Sequence, residues 1–314
     1  MTPPAKRPKS LFMKQLPRAT IHLSNIVSNW QALDGLHPGA TTAAVVKADA
    51  YGLGAVPVAR ALLRSGCSTF FVAYLEEALA VRKALGLGPR IFVLNGPTRK
   101  EMSAYIAAGI TAVLSSPDHL KAWANAPKGT SALHFDTGMN RLGLKAAALA
   151  TTLTDLQRLQ PVLVMSHLAC ADETGNAMNT AQLKAFDDIA SAFPDTPASL
   201  ANSAGCYLGK GFGYDLIRPG IGLYGGSLPP KGLRIKQALT LDAAILSVFE
   251  GKAGETVGYG ATQTLQQDTQ LATVGIGYAD GLPRTGGNNL VAYLDDVPCP
   301  VVGRISMDLT TIDV

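Results

Sequence analysis

From about residue 20 to about residue 230, short apolar runs alternate with segments in which apolar residues recur every three or four positions. The first texture predicts strands and the second predicts helices. Residues 42–46 are an apolar, β-branched run, and helical spacing follows over 55–64. The pair recurs as 69–73 with 76–85, 90–94 with 101–108, 131–135 with 146–159, and 162–165 with 181–193. Residues 110–114 precede a helix that opens at Ser116-Pro117, where serine can cap and proline fits the first turn. Residues 199–201 and 221–224 are predicted as the last strands of this region. Repeated β-α units with apolar strands imply a parallel sheet covered by helices. About eight such units imply a closed (β/α)8 barrel of TIM type.

After about Lys231 the texture changes. Residues 239–248, 271–276, 290–294 and 297–302 are short β-like runs between glycine-rich turns, without a strong helical period. The expected fold class is therefore α/β, with a barrel followed by a smaller, mostly β domain. The expected boundaries are a flexible basic tail over 1–18, a barrel over 19–232 and a β domain over 233–314. The last run, 309–314, reaches the final residue with no turn behind it. The expectation is an incomplete β domain whose last strand has an unpaired edge.

Composition narrows the function classes. The chain has 314 residues, 47% of them hydrophobic, which suffices for two domains. The net charge of +4 is spread thinly, apart from Lys6, Arg7, Lys9, Lys14 and Arg18. Those charges read as a solvated tail rather than a nucleic-acid arm. No apolar run is long enough to span a bilayer, and the N-terminus lacks the apolar stretch of a secretory signal. Cys67, Cys170, Cys206 and Cys299 are widely spaced, with no Cys-x-x-Cys pair. That speaks against a disulfide framework or a zinc site and for a reducing cytoplasm. Neither nucleic acid, membrane nor metal is expected as a partner.

In a barrel of this kind, chemistry sits where strands end and βα loops begin. Lys47, the Asp136-Thr137-Gly138 loop with Arg141, His167 and Ser203 each follow a predicted strand, and Arg218 precedes Pro219-Gly220-Ile221 at the same rim. Lys47 is the sharpest of them. A lysine that closes an apolar strand either snorkels to solvent or has a partner or a task. The loop after it, Ala48-Asp49-Ala50-Tyr51-Gly52-Leu53-Gly54, has two glycines to free the backbone and a nearby hydroxyl. A lysine that can condense with an aldehyde, beside a phosphate-holding loop, is what pyridoxal phosphate requires.

Here the chain resembles a known family. Residues 44–54 resemble the cofactor-lysine motif of alanine racemases, and His134-Phe135-Asp136-Thr137-Gly138-Met139-Asn140-Arg141-Leu142-Gly143 resembles their second signature. Ser166-His167-Leu168-Ala169, Ala201-Asn202-Ser203-Ala204 and residues 217–225 are similar to the middle motifs. Gly258-Tyr259-Gly260-Ala261-Thr262, Gly277-Tyr278-Ala279-Asp280-Gly281 and residues 302–308 complete the set in family order. The resemblance runs from about residue 19 to the last residue.

The resemblance implies interconversion of L- and D-alanine on pyridoxal 5'-phosphate, supplying D-alanine for bacterial cell-wall peptidoglycan. Racemisation removes a proton from one face of Cα and returns one to the other, so it requires two bases. By resemblance these are Lys47, which also carries the cofactor, and Tyr259. A tyrosine normally titrates near pH 10 and needs a cationic or hydrogen-bonding neighbour to act as a base, the task implied for His167. Arg218 would face the pyridine nitrogen; arginine can only donate, so that nitrogen must accept and stays unprotonated. A weaker electron sink favours reprotonation at Cα over transamination. The Tyr51 and Ser203 hydroxyls and the Gly220 and Ile221 amides would hold the phosphate. Arg141, Tyr278 and the Met307 amide would orient the substrate. Tyr259, Tyr278 and Met307 would reach the cofactor of a second subunit, which implies a head-to-tail homodimer.

Two departures stand out. Many members of that family carry a carbamylated lysine where this chain has His134, and it steadies the arginine that Arg141 matches. Histidine forms no stable carbamate, so another group must position Arg141. Members of the family also continue through further strands that include a tyrosine ligand to the phosphate. The alternatives are a cofactor-binding but weakly active shortened form, or a racemase of another small amino acid such as serine. A barrel-type decarboxylase, a D-threonine aldolase and a non-catalytic cofactor carrier fit less well. Arg218 and Tyr259 argue against the decarboxylase, and the β domain argues against the carrier.

Overall fold

The computed structural model describes residues 16–124 and 129–314. The basic tail expected over 1–18 lies outside the described residues as far as residue 15. The described residues divide into two compact units, Ile21–Leu239, and Thr240–Val314 with residues 16–20.

The larger unit is built on parallel strands. Ala44–Val45, Thr69–Val72, Arg90–Val93, Thr111–Leu114, Ser131–Asp136, Val164–Met165 and Ala198–Ser199 pair in that order, each with the next. Leu216–Ile217 closes the ring by pairing in parallel with Thr41–Thr42. The Val45 amide extends that contact by donating to the Pro219 carbonyl at 3.0 Å. On its other side the Asp215 amide donates to the Ala198 carbonyl at 3.1 Å and the Arg218 amide to the Ala201 carbonyl at 2.9 Å. The result is the expected closed barrel. Neighbouring residues alternate between its two faces, as strand geometry requires. Phe70 and Val72 join the large core under the helices, while Phe71 joins Val45, Phe92, Val113 and Met165 in a separate core inside the barrel. The Phe71 and Phe92 rings stack there at 4.6 Å. Side chains thus fill the barrel, and chemistry is confined to its rim.

Several helices match their sequence signals. Ala55–Arg64 has the expected bounds, and Ser116 caps Pro117–Trp123 by accepting from the His119 amide at 3.2 Å. Three elements differ from expectation. The helix Leu23–Asp34 has no counterpart in the sequence pattern above, although it buries Ile26, Trp30 and Leu33. The strand Arg18–Ile21, which pairs with Leu239–Asp242, was likewise not expected. Residues 221–224 are a 3-10 turn and not a strand; the last barrel strand is instead Leu216–Ile217. A short apolar run does not distinguish the two, and Gly225 at φ 90° ends the turn in the left-handed region.

The smaller unit centres on an antiparallel sheet of Ile245–Gly251, Thr269–Val274 and Thr310–Asp313. A hairpin, Val291–Leu294 with Val297–Pro300, and the short pair Thr256–Val257 with Gln263–Thr264 accompany it. Its core is small, with Ala272, Val274, Ile276, Val301, Ile305 and Ile312 among its members. Thr310–Asp313 is bonded on both sides, contrary to the expected free edge. It pairs with Thr269–Val274 on one side, and Ile312 bridges Val301 on the other, where the Val302 amide donates to the Thr311 carbonyl at 2.9 Å. Among the described residues, no helix is long and apolar enough to cross a membrane.

Candidate active site

Lys47 follows the barrel strand Ala44–Val45 at its C-terminal end and opens a tight turn. The next four residues, Ala48, Asp49, Ala50 and Tyr51, all have left-handed backbones, with φ of 51°, 52°, 55° and 58°. Such a conformation costs about 1–2 kcal/mol per non-glycine residue. A run of four needs compensation from its surroundings. Glu77 provides part of it, since its carboxylate accepts from the Ala48 amide at 2.6 Å, the Ala73 amide at 2.7 Å and the Tyr74 amide at 3.2 Å. Asp49 provides another part by accepting from the Ala55 amide at 2.7 Å. The turn carries Tyr51 back across the barrel rim. There its ring packs against Tyr224 at 4.8 Å, and a Cβ on Gly220 would fall 2.3 Å from the Tyr51 hydroxyl. Only glycine leaves room for that approach.

Arg218 extends from the last strand into the barrel end and is 4% exposed. Its guanidinium donates to the Ser166 carbonyl, to Ser199 Oγ and, at 3.4 Å, to the Leu200 carbonyl. Burial lowers its pKa to about 10, which leaves it a cation at neutral pH. His167 is held well below its ordinary value by burial, and by Arg218, Arg141, His134 and Lys47. It is therefore neutral and can offer a hydrogen bond but no charge. Burial, Arg218 and Arg141 bring His134 down to about 4 against the opposing pull of Asp136.

Ser203 sits beneath two backbone amides. Its Oγ accepts from the Gly220 amide at 2.8 Å and the Gly222 amide at 3.0 Å. The Gly220 amide, expected to point at a phosphate, is thus turned onto Ser203. Two accepted bonds leave the Ser203 proton free to donate.

The residues expected to hold the cofactor converge. Lys47, Tyr51, His167, Ser203, Arg218, Gly220 and Ile221 all line one cavity of about 620 Å³. Arg141 is exposed and outside that lining, yet close enough to depress both histidines. Its loop is fastened by Asp136, whose carboxylate accepts from the Gly138 amide at 3.0 Å, the Asn140 amide at 3.1 Å and Lys145 Nζ at 2.5 Å. Asp136 thus anchors the backbone of the loop that carries Arg141.

In the smaller unit, Tyr259, Tyr278 and Met307 belong to one loop cluster. The Tyr278 amide donates to the Ser306 carbonyl at 3.0 Å, and the Ala279 amide to the Met307 carbonyl at 2.8 Å. Gly258, beside Tyr259, lies against Arg304. Tyr259 is 69%, Met307 57% and Tyr278 39% exposed.

Sequence reading missed Glu77 and Gln182. Glu77 occupies the third position of the helix Leu75–Leu85, where an acid that reaches back to the N-cap amide is a recognised signal. Gln182 is fully buried; it accepts from the Ala169 amide and donates to the His167 carbonyl and to Thr137 Oγ1. A polar residue among the apolar positions of a helix was the one available signal for it.

These observations match the comparisons with known proteins. The family model "alanine racemase, N-terminal domain" matches residues 21–228, and "alanine racemase, C-terminal domain" matches residues 238–314. An alanine racemase of Rhodospirillum rubrum is 46% identical over 306 residues, covering 94% of this chain and 82% of that protein. Among solved structures, the biosynthetic alanine racemase of Pseudomonas aeruginosa superposes with a TM-score of 0.87 at 35% identity, covering 95% of this chain and 85% of that one. The alanine racemase of Bartonella henselae, which carries covalently bound pyridoxal phosphate, superposes with a TM-score of 0.86 at 36% identity, covering 95% of this chain and 86% of that one. With both domain models matched in order along the chain, the protein belongs to the alanine racemase family.

Proposed function

We propose that this protein interconverts L- and D-alanine with pyridoxal 5'-phosphate as its cofactor, and so supplies D-alanine for peptidoglycan. The observation that carries this reading is the convergence of Lys47, Tyr51, His167, Ser203 and Arg218 on one cavity. The cavity suits the cofactor. It offers an amine for the aldehyde, a buried cation for the ring nitrogen, and a hydroxyl-lined cradle, closed by glycine, for the phosphate. When bound, the cofactor draws electron density from the substrate and acidifies its Cα–H.

The protein's residues do the rest. Lys47 holds the cofactor and moves a proton on one face of Cα. Tyr259, supplied by a second copy of the chain, moves the proton on the other face. His167 is neutral and acts as a hydrogen-bonding neighbour rather than a charged one. Arg218 remains charged and can only donate, which keeps the facing ring nitrogen unprotonated. Arg141, Tyr278 and the Met307 amide orient the substrate carboxylate. The exposure of Tyr259, Tyr278 and Met307 on one loop cluster supports a head-to-tail homodimer in which they face the partner's barrel. We take residues 19–232 as the cofactor-binding barrel and 233–314 as the domain that completes a neighbour's site. The four free cysteines suit a cytoplasmic location.

The test is a coupled assay of both alanine enantiomers, with and without added pyridoxal phosphate, followed by borohydride treatment and peptide mapping. Turnover in both directions and a label on Lys47 are expected. A label on another lysine, or turnover that does not depend on the cofactor, refutes the reading.

A further inference from the structure

A phosphate dianion bound without a metal ion needs several hydrogen-bond donors, and the expected set contains two hydroxyls and two amides. The structure withdraws one of the four, because the Gly220 amide donates to Ser203 Oγ at 2.8 Å. The same end of the cavity holds a further hydroxyl pair. Tyr207 OH and Ser227 Oγ lie 2.9 Å apart, and both residues line the cavity with Ser203, Gly220 and Ile221. Ser227 is placed by glycines. A Cβ on Gly226 would fall 2.6 Å from Ile221 Cγ1, so the chain lies flat against the turn that carries the Ile221 amide. A Cβ on Gly222 would fall 3.1 Å from Ser227 Oγ and 3.4 Å from Ser203 Oγ. Both serine hydroxyls thus lie beside Gly222, on the wall of the same cavity.

The pair also has a direction. Burial raises the Tyr207 pKa above its usual value, so the phenol keeps its proton. A phenol is a stronger donor than an aliphatic alcohol, so Tyr207 donates to Ser227 Oγ. That leaves the serine proton free for an acceptor in the cavity.

We propose that Ser227, oriented by Tyr207, is a further donor to the phosphate of the bound cofactor. This rests on the pyridoxal phosphate reading above. The effect belongs to the phosphate alone, so it separates the phosphorylated cofactor from pyridoxal, which has the same ring and aldehyde. The test measures equilibrium dissociation of both compounds from the full chain, read from the visible absorbance of cofactor bound at Lys47. Ser227→Ala should weaken pyridoxal phosphate about tenfold or more while leaving pyridoxal within about twofold. Ser227→Thr, which keeps the hydroxyl, should retain affinity, and Tyr207→Phe should lose less than Ser227→Ala. Inorganic phosphate should compete less well with pyridoxal phosphate in Ser227→Ala than in the parent protein. Unchanged affinity for pyridoxal phosphate in Ser227→Ala, or an equal loss for both compounds, overturns the proposal. Failure of the parent protein to take a borohydride label at Lys47 would instead overturn the underlying reading, and this inference with it.

Discussion

The two units hold their functional residues in opposite ways. In the barrel, Arg218 is buried and makes three hydrogen bonds, Ser203 is pinned by two amides, and the turn after Lys47 is held by Glu77 and Asp49. In the β unit, Tyr259, Tyr278 and Met307 are exposed side chains on short turns. The barrel side chains are held by hydrogen bonds within the barrel itself. The β-unit residues have hydrogen-bonded backbones and exposed side chains, with the Arg284 guanidinium 5.8 Å above the Tyr278 ring. Cofactor binding should therefore depend on the barrel, and proton transfer on both units.

The largest test of this contrast sets Lys47→Ala against Tyr259→Phe. Lys47→Ala should remove covalent cofactor attachment and reduce racemisation by on the order of a thousandfold or more. Tyr259→Phe should reduce racemisation by roughly a hundredfold to ten-thousandfold while the cofactor stays bound. Equal cofactor loss in the two variants, read from the visible spectrum, would erase the distinction.

A subtler test moves the β-unit cluster without removing a reacting group. A Cβ on Gly277 would fall 2.4 Å from the Met307 carbonyl carbon and from the Ser306 carbonyl oxygen. Gly277→Ala should shift Tyr278 and Met307 and lower kcat by on the order of a hundredfold, because misplacement by about 1 Å is that costly. Cofactor affinity should not change. A parallel loss of affinity would show that the β unit helps hold the cofactor.

Arg218→Glu addresses the electronic role proposed for the barrel. An acid at that position protonates the ring nitrogen and strengthens the electron sink, so pyruvate formation should rise relative to racemised product by about tenfold, an order-of-magnitude expectation. An unaltered ratio would show that Arg218 does not govern the ring.

The smallest effect concerns stability. Burial alone would raise the Asp136 pKa, but its bond to Lys145 and the amides of Gly138 and Asn140 outweigh burial and lower it. A carboxyl depressed in the folded state stabilises the fold above its unfolded value, near 3.9, and loses that contribution as pH falls through its folded value. Asp136→Asn should cost about 1.5–3 kcal/mol at pH 7, measured by urea denaturation. The difference from the parent protein should shrink towards pH 3. A gap independent of pH would mean that the carboxylate charge is not what anchors the Arg141 loop.

Much of this was legible beforehand for particular reasons. Strands such as Thr69–Val72 and Thr111–Leu114 announce themselves because they are buried on both faces and read as largely apolar runs, whereas the two-residue strand Leu216–Ile217 is too short to do so. Lys47 stands out because a charge at the end of such a run is costly without a task. The helix Leu23–Asp34 was missed because its apolar positions are sparse, and only Ile26, Asn29, Trp30 and Leu33 are buried. The left-handed run over Ala48–Tyr51 was not legible at all. Alanine and tyrosine carry no signal for positive φ and aspartate only a weak one, and the loop's glycines suggested that freedom would come from Gly52 and Gly54 alone.

By itself the sequence determined the barrel-then-β order and which residue types stand at the strand ends. These follow from period-2 and period-3.6 patterns and from local chemistry, which need no distant partner. Tertiary structure alone decided three things: that Glu77 and Asp49 would hold a strained turn after Lys47, that the Gly220 amide would turn onto Ser203, and that Tyr207 and Ser227 would meet at the same rim. Each of these joins groups on separate segments. Hydrogen-bond geometry varies with tenths of an ångström, and only packing of the whole barrel sets such distances.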